Sequence, residues 1–348
     1  MKNKILSVAV LAALALAIVT NNVSAKSWRI NNIAARMANF LDINAACASE
    51  EVLDGDTLYL DPGCNLTSNQ TVTKQLTIVG TGYCLTEQPY VSASVGSNAT
   101  LYLRTAGIKV TGLNSRGLIF ISADNITIER CKSGTIYIEN KVQNLVIRQF
   151  YCPGIIGSNT YANNNIGWII ENNIFANNGG ITQRSTGYVQ SVIGGEIRNN
   201  IFSCKFSDGT GKTKVLEGIT NSLITNNIIV MNTENRHNYL FSNFTDCQVT
   251  NNLLSCDEGT YPEYPNNTCL GTHELTSIFT CSGADDHYYE MTENSPARAI
   301  QAGAFYGSHP YVFSGLPYGH PYYTSVNVSP RAKDGKIHIT LNSKVQDE

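Results

Sequence analysis

The sequence predicts an all-β chain wound as a right-handed parallel β-helix, a solenoid, and three observations carry that expectation. A short apolar–polar motif recurs at nearly constant spacing, turn-forming residues are abundant, and charge is sparse. Asn fills 38 and Gly 28 of the 348 positions. Both are poor helix formers and both suit tight turns. Charged residues make up 15% of the chain, against about 25% in an average soluble domain. That scarcity argues against a coiled coil or a charge-stabilised disordered chain.

The repeat is the strongest of the three. IIENNIF at 169–175, EIRNNIF at 196–202, LITNNII at 223–229 and QVTNNLL at 248–254 align without gaps. Their second asparagines stand at 173, 200, 227 and 252, at intervals of 27, 27 and 25. Weaker copies, ITIERC at 126–131 and LVIRQF at 145–150, add spacings of 19 and 23. Each copy alternates apolar and polar residues, passes a polar turn and resumes with an apolar pair, which is strand periodicity. So short a unit cannot bury its apolar face alone, and equivalent strands of successive coils must stack. A leucine-rich repeat has a similar period, but the L-x-x-L-x-L register and helix signals are missing. Asn172, Asn173, Asn199, Asn200, Asn226, Asn227, Asn251 and Asn252 are expected to stack as a ladder of side-chain amides along the axis. Cys204 and Cys256 each follow the second Asn of their repeat by four positions. Two coils at about 4.8 Å each place them too far apart for a disulfide, so both read as small buried hydrophobes.

The ends follow from the need to close a solenoid. Residues 1–25 read as a signal peptide: Lys2 and Lys4, an apolar run over 5–19, then Val23-Ser24-Ala25 as a small-residue cleavage site. The run is shorter than the roughly 20 residues that span a bilayer, so no transmembrane segment is expected. The chain is expected in the periplasm, at the cell surface or outside the cell. Without that segment 22 of the 24 basic residues remain against 27 acidic ones, and no nucleic-acid partner is indicated. Residues 26–56 are assigned to an N-terminal cap with a short helix over 39–49. Coils are assigned to 57–260, and an aromatic-rich irregular capping segment with a final strand to 261–348. The ten cysteines lie between Cys47 and Cys281 without a C-x-x-C pair, so no zinc site is expected. Their pairing is open.

GDTLYL at 55–60 with TVTKQLTIVG at 71–80, and TENSPA at 292–297 with GAF at 303–305 and SGLP at 314–317, resemble right-handed parallel β-helix proteins of the pectate-lyase-like superfamily. The similarity is closest to secreted or surface β-helix proteins of Bacteroidetes, and spans roughly residues 28–345. It implies the fold, and it implies acidic polysaccharides as the substrates against which a catalytic site is to be sought.

Hydrolysis needs two carboxyl groups flanking the bond. Of the N-T-D, aspartate-pair, G-H-G and R-I-K elements of the hydrolases, only Asp285-Asp286-His287 is faintly similar, and a solvated loop accounts for it. Elimination needs a base and a positive charge beside the uronate carboxylate. Lys141 and Arg148 are the candidates, with Glu129 and Arg130 one coil earlier; calcium would enter only under this reading. The loop over 205–215 and residues 232–238 form the candidate rim of a groove. Nine of the 18 tyrosines lie between Tyr261 and Tyr323. Tyr261, Tyr264, Tyr311, Tyr318 and Tyr322 are candidates for stacking on sugars, although covering the end or flank of the helix is the favoured account of such residues, and some could serve both purposes. The expectation is an exported protein that binds a polysaccharide or surface glycan, or mediates surface contact. It has no cofactor and no complete catalytic set. The alternative is a polysaccharide lyase or, less favoured, a glycoside hydrolase.

Overall fold

One coil contains the plan of the molecule. Thr127–Glu129 is followed by Lys132–Ser133 and Ile136–Ile138, and the next coil returns at Val146–Arg148. The returning strand pairs parallel with the first, Ile128 opposite Ile147. In the computed structural model, which describes residues 25–83, 92–157, 165–176, 189–190, 192–204, 215–231, 240–271, 273–283, 285–317, 321–328 and 336–345, this winding yields three parallel sheets. Sheets A and B, holding the first and second strand of each coil, have ten strands among the described residues, and sheet C, holding the third, has eight. The protein is a parallel β-helix. The signal-like segment to residue 24, the loop at 205–214 and residues 232–238 lie outside the described residues.

The strands of the coils are two to four residues long, and each supplies one or two inward residues to the lumen. On sheet A, Ile78, Val110, Ile128, Ile147, Ile170, Ile197 and Ile224 form one inward row, all buried. Each such side chain contributes about 1.5–3 kcal/mol on burial. Phe175 and Phe202 stack inside at 4.7 Å with their ring planes nearly parallel.

From Gly112 onward the corner between sheets A and B takes a left-handed residue in each coil. Gly112, Arg130, Gln149, Asn172, Asn199, Asn226 and Asn251 all have φ between 50° and 65° there. Asn tolerates this region better than other residues with a Cβ, which is why the first Asn of each pair recurs. A second column, Asn125, Asn144, Gly167, Gly194, Asn221 and Asp246, turns the chain into sheet A in the same way.

The second Asn has a different task. Asn200 donates from its backbone N–H and from Nδ2 to Asn227 Oδ1, both 2.9 Å, and from Nδ2 to Ile170 O at 2.8 Å. It accepts the same pair from Asn173. The ladder runs from Asn173 through Asn200, Asn227 and Asn252 to Asn267. The two members of each pair therefore divide the work, and only the second bonds along the axis.

Sheet B is buried on both faces, as Ile174–Ala176 illustrates. Its outer face, with Ile174, Ile201, Ile228 and Leu253, packs under Phe279, Tyr289, Met291 and Ala304 of the C-terminal segment as a second core. That segment then runs back toward the N-terminal end along the A–B corner. The left-handed residues hold it: Asn251 Nδ2 donates to Ile300 O, Asn226 and Asn199 to Gln301 O, and Asn172 to Ala304 O. Gln149 Nε2 donates to Pro310 O and Arg130 Nη1 to Leu316 O, each at 2.6 Å. At Gly112 there is no room for a side chain, since a Cβ would lie 2.6 Å from Pro317. The aromatic-rich segment is thus a strap along the flank.

At the N-terminal end helix α1 (Ile43–Ala48), capped by the Asp42 side chain on Ala45 N–H, is shorter than 39–49. Ser27–Ile30, within the segment assigned to the cap, pairs with Thr57–Leu60 as the first strand of sheet A. Cys204 is in register with Met231. Cys256 is buried, and its Sγ lies 3.2 Å from that of Cys269 on the next coil.

Asn200→Ala should cost about 3 kcal/mol or more in urea unfolding, because it strands the donors of Asn173 and the carbonyl of Ile170 without partners. Asn199→Ala should cost about 1–2 kcal/mol, the strain of a left-handed alanine. Equal costs would contradict the division of labour.

Candidate functional site

Two outer faces of the helix remain for chemistry. On sheet A, Glu129, Arg148, Glu171 and Arg198 are consecutive in register. In-register stacking would place like charges side by side, so alternation of sign is what the sheet tolerates. Arg148 lies 2.7 Å from Glu129 and 3.9 Å from Glu171, and Arg198 lies 2.7 Å from Glu171 and 3.0 Å from Glu196. The strap adds His309, whose Nδ1 is 3.0 Å from Glu171 and whose Nε2 is 3.1 Å from Arg148. Glu171 is only 2% exposed under these neighbours.

This row is where acidic and basic side chains converge on adjacent coils, yet each guanidinium already faces carboxylates. A lyase needs positive charge open to a substrate carboxylate. Lys141 is exposed in the turn before the Arg148 strand, whereas Arg148 is committed to Glu129 and Glu171. His309, which comes from the strap at a separation of 161 residues, has no sequence signal that would place it here. Arg130 is buried and bonded to Gln149 and to the strap. Among the described residues no group of three or more His, Cys, Asp or Glu is placed to hold a metal ion. No helix among them is long and apolar enough to cross a membrane.

The Asp285-Asp286-His287 element is not a solvated loop. Asp286 is fully buried, its Oδ2 accepting from Tyr311 OH at 3.1 Å and from Ser314 N–H at 2.9 Å. Tyr311 OH in turn shares a hydrogen bond with Tyr83 OH. His287 stacks on Phe313 at 4.2 Å. Burial pushes the Asp286 carboxyl above its ordinary range despite these donors. The element anchors the strap and reaches no solvent-filled groove through Asp286.

Of the tyrosines proposed for sugar stacking, Tyr261 and Tyr264 are partly exposed and Tyr311 is occupied by the protein itself. Tyr311 is 5% exposed, and burial beside Tyr83 and Asp286 drives its phenol well above the usual value. Tyr261 packs on Phe241 at 5.0 Å and its OH accepts from Leu240 N–H, with burial raising its phenol to about 12. Tyr264 meets Phe241 edge-on. Tyr318 lies outside the described residues, and Tyr322 falls in the strand Pro321–Val328, which pairs antiparallel with Ile339–Val345.

Sheet C presents what the other faces do not. Tyr102, Phe120 and Tyr137 occupy one outward row on three successive coils, between buried Leu and Ile neighbours. Their centroids are 5.4 and 5.0 Å apart, and all three rings are partly exposed. Beside them runs a polar row: Arg104 lies over the Tyr102 ring, donates to Ser122 Oγ, and pairs with Glu139 two coils on. The sequence carried this signal as LYL, IFI and IYI at 101–103, 119–121 and 136–138, three strands with a central aromatic at equivalent positions.

Comparisons with protein-family models, curated proteins and solved structures gave no match.

Asp286 makes stability depend on pH. Its folded value lies above the unfolded one of about 3.9, so its contribution is greatest below that pH and is lost as pH rises through the folded value. The melting temperature of the wild type relative to Asp286→Asn should therefore fall with rising pH from about 4 upward. A difference that does not change with pH would contradict a buried Asp286 whose carboxyl is held above its ordinary range.

Proposed function

We propose that this chain is an exported β-helix protein of the cell envelope or exterior that binds glycans or mediates surface contact, without a complete catalytic site. The observation that carries the reading is the outer face of sheet C. An aromatic row beside an Arg104–Ser122–Glu139 row offers apolar edge and hydrogen-bonding groups together, which is what the mixed surface of a sugar polymer requires. The coil spacing of about 4.8 Å is comparable to the length of one sugar residue, so an extended chain laid along the axis meets equivalent groups at each step. The ring faces largely meet one another, so the strip offers their edges.

The sheet A row supports the absence of catalysis, because its arginines and glutamates neutralise one another. The alternative, a lyase or hydrolase of acidic polysaccharides, has its one favouring observation in the same place: His309 brought against Glu171 and Arg148. No cofactor is part of the leading reading.

Affinity electrophoresis of the purified chain in gels containing polygalacturonate, alginate, xylan or chondroitin sulfate tests the reading. Retardation is expected in at least one gel. Tyr102→Ala and Tyr137→Ala should each weaken it by about tenfold, the equivalent of about 1.4 kcal/mol, with circular dichroism unchanged. Retardation indifferent to both variants, or none in any gel, contradicts the proposal.

A further inference from the structure

The segment just after the expected cleavage site is received by a carboxylate built for it. Asp56 is 1% exposed and closes the first coil. Its Oδ1 accepts from the backbone nitrogen of Lys26 at 2.7 Å, and its Oδ2 from Trp28 Nε1 at 2.8 Å and Leu53 N–H at 2.9 Å. Lys26 O accepts from Thr57 N–H at 2.8 Å, and sheet A begins one residue later, at Ser27. Ala25 and Lys26 are exposed, so the peptide bond between them sits where a protease can reach it and where ordered structure starts.

We infer that hydrolysis of the Ala25–Lys26 bond turns the Lys26 nitrogen into an α-ammonium that forms an ion pair with Asp56, so that processing itself completes the first coil. An endopeptidase supplies the chemistry: water adds its oxygen to the Ala25 carbonyl carbon, the C–N bond breaks, and the nitrogen leaves as the protonated amine. Before cleavage the contact is an amide N–H on a carboxylate. After it, both partners are charged at the same 2.7 Å, the range of charge-assisted hydrogen bonds. Desolvation opposes this little, because Lys26 is exposed and its new ammonium keeps water on the sides away from Asp56. Trp28 and Leu53 hold the carboxylate in place whether or not the amine is free, so the receptor is formed in advance. The inference rests on the export reading for the identity of the cut, but not for the ion pair. The charged groups at the site are Asp56 and Lys26 itself, whose Nζ lies 5.7 Å from the Trp28 ring.

The sign of the pH dependence follows. An α-amino group has an ordinary value of about 7.7–8.0, and pairing with Asp56 raises it in the folded state. The stabilisation is therefore full below about pH 7.7 and is lost as pH rises through the raised value. Two chains decide the matter, one beginning at Lys26 with a free amine and one with the same residues and an acetylated amine. The free form should melt roughly 3–8 °C higher at pH 6.5, and the two should converge above about pH 10. Asp56→Asn should remove most of that difference in both directions of comparison. If Asp56→Asn does not fold, the free-against-acetylated comparison still decides. Equal melting at pH 6.5 overturns the ion pair. Separately, N-terminal sequencing of the exported chain should begin at Lys26. A start elsewhere overturns the assigned cut, and a retained leader overturns the export reading, while the melting comparison stands on its own.

Discussion

The constraint on which the rest depends is the left-handed turn between sheets A and B, closed from inside by a buried amide. A solenoid of such short strands has almost no purchase within a coil. Every coil must therefore stop and redirect its backbone at the same place, or the stacked rows lose register. From Asn173 onward, the amide of each coil satisfies backbone groups at the turn of the preceding coil and bonds the amides on either side. Further toward the N-terminal end the same position is held by Leu113, Cys131 and Phe150, all buried; Cys131 Sγ accepts from Leu113 N–H at 3.3 Å as the amide oxygen does later, and apolar packing serves at Leu113 and Phe150. Phe150 N–H on Asn173 Oδ1, at 3.0 Å, joins the two regimes.

From that turn follows the disposition of the outer faces. Left-handed residues point their side chains outward at one corner, and six of them, from Arg130 to Asn251, bond carbonyls of the C-terminal strap. The strap covers sheet B with a second core and brings His309 onto the charged row of sheet A. A corner that exists to bend the chain thus also fastens the segment that hides its most apolar face. Sheet C keeps an outer face with partly exposed aromatics, and the functional proposal is placed there.

The coils were legible in the sequence because the inward row and the turn each repeat at one position, and the Asn pairs mark the turn without ambiguity. The double burial of sheet B was also visible in principle. Its strands read Ile-Phe, Ile-Ile and Leu-Leu, continuous apolar pairs that indicate two covered faces. Asn266-Asn267 repeats the pair 15 residues after Asn252, yet no aligned strand precedes it, so motif matching passed over the last rung. What could not be read is long-range. Nothing local says that Asn199 holds Gln301, that Tyr311 is buried against Tyr83, or that His309 meets Glu171. These contacts depend on the path of the strap, which carries no repeat. The tyrosines of the tail drew attention by their number, whereas the aromatic row of sheet C is one residue per coil and surfaces only when coils are set in register.

The account holds that this helix uses its ionisable groups to stabilise itself and keeps its binding surface free of chemistry. The most direct measurement is reducing-end release from plant, algal and host polysaccharides incubated with the mature chain, with and without calcium. The account predicts no release on any substrate, including those the protein retards. Released ends would contradict it and would direct attention to His309, Glu171 and Arg148.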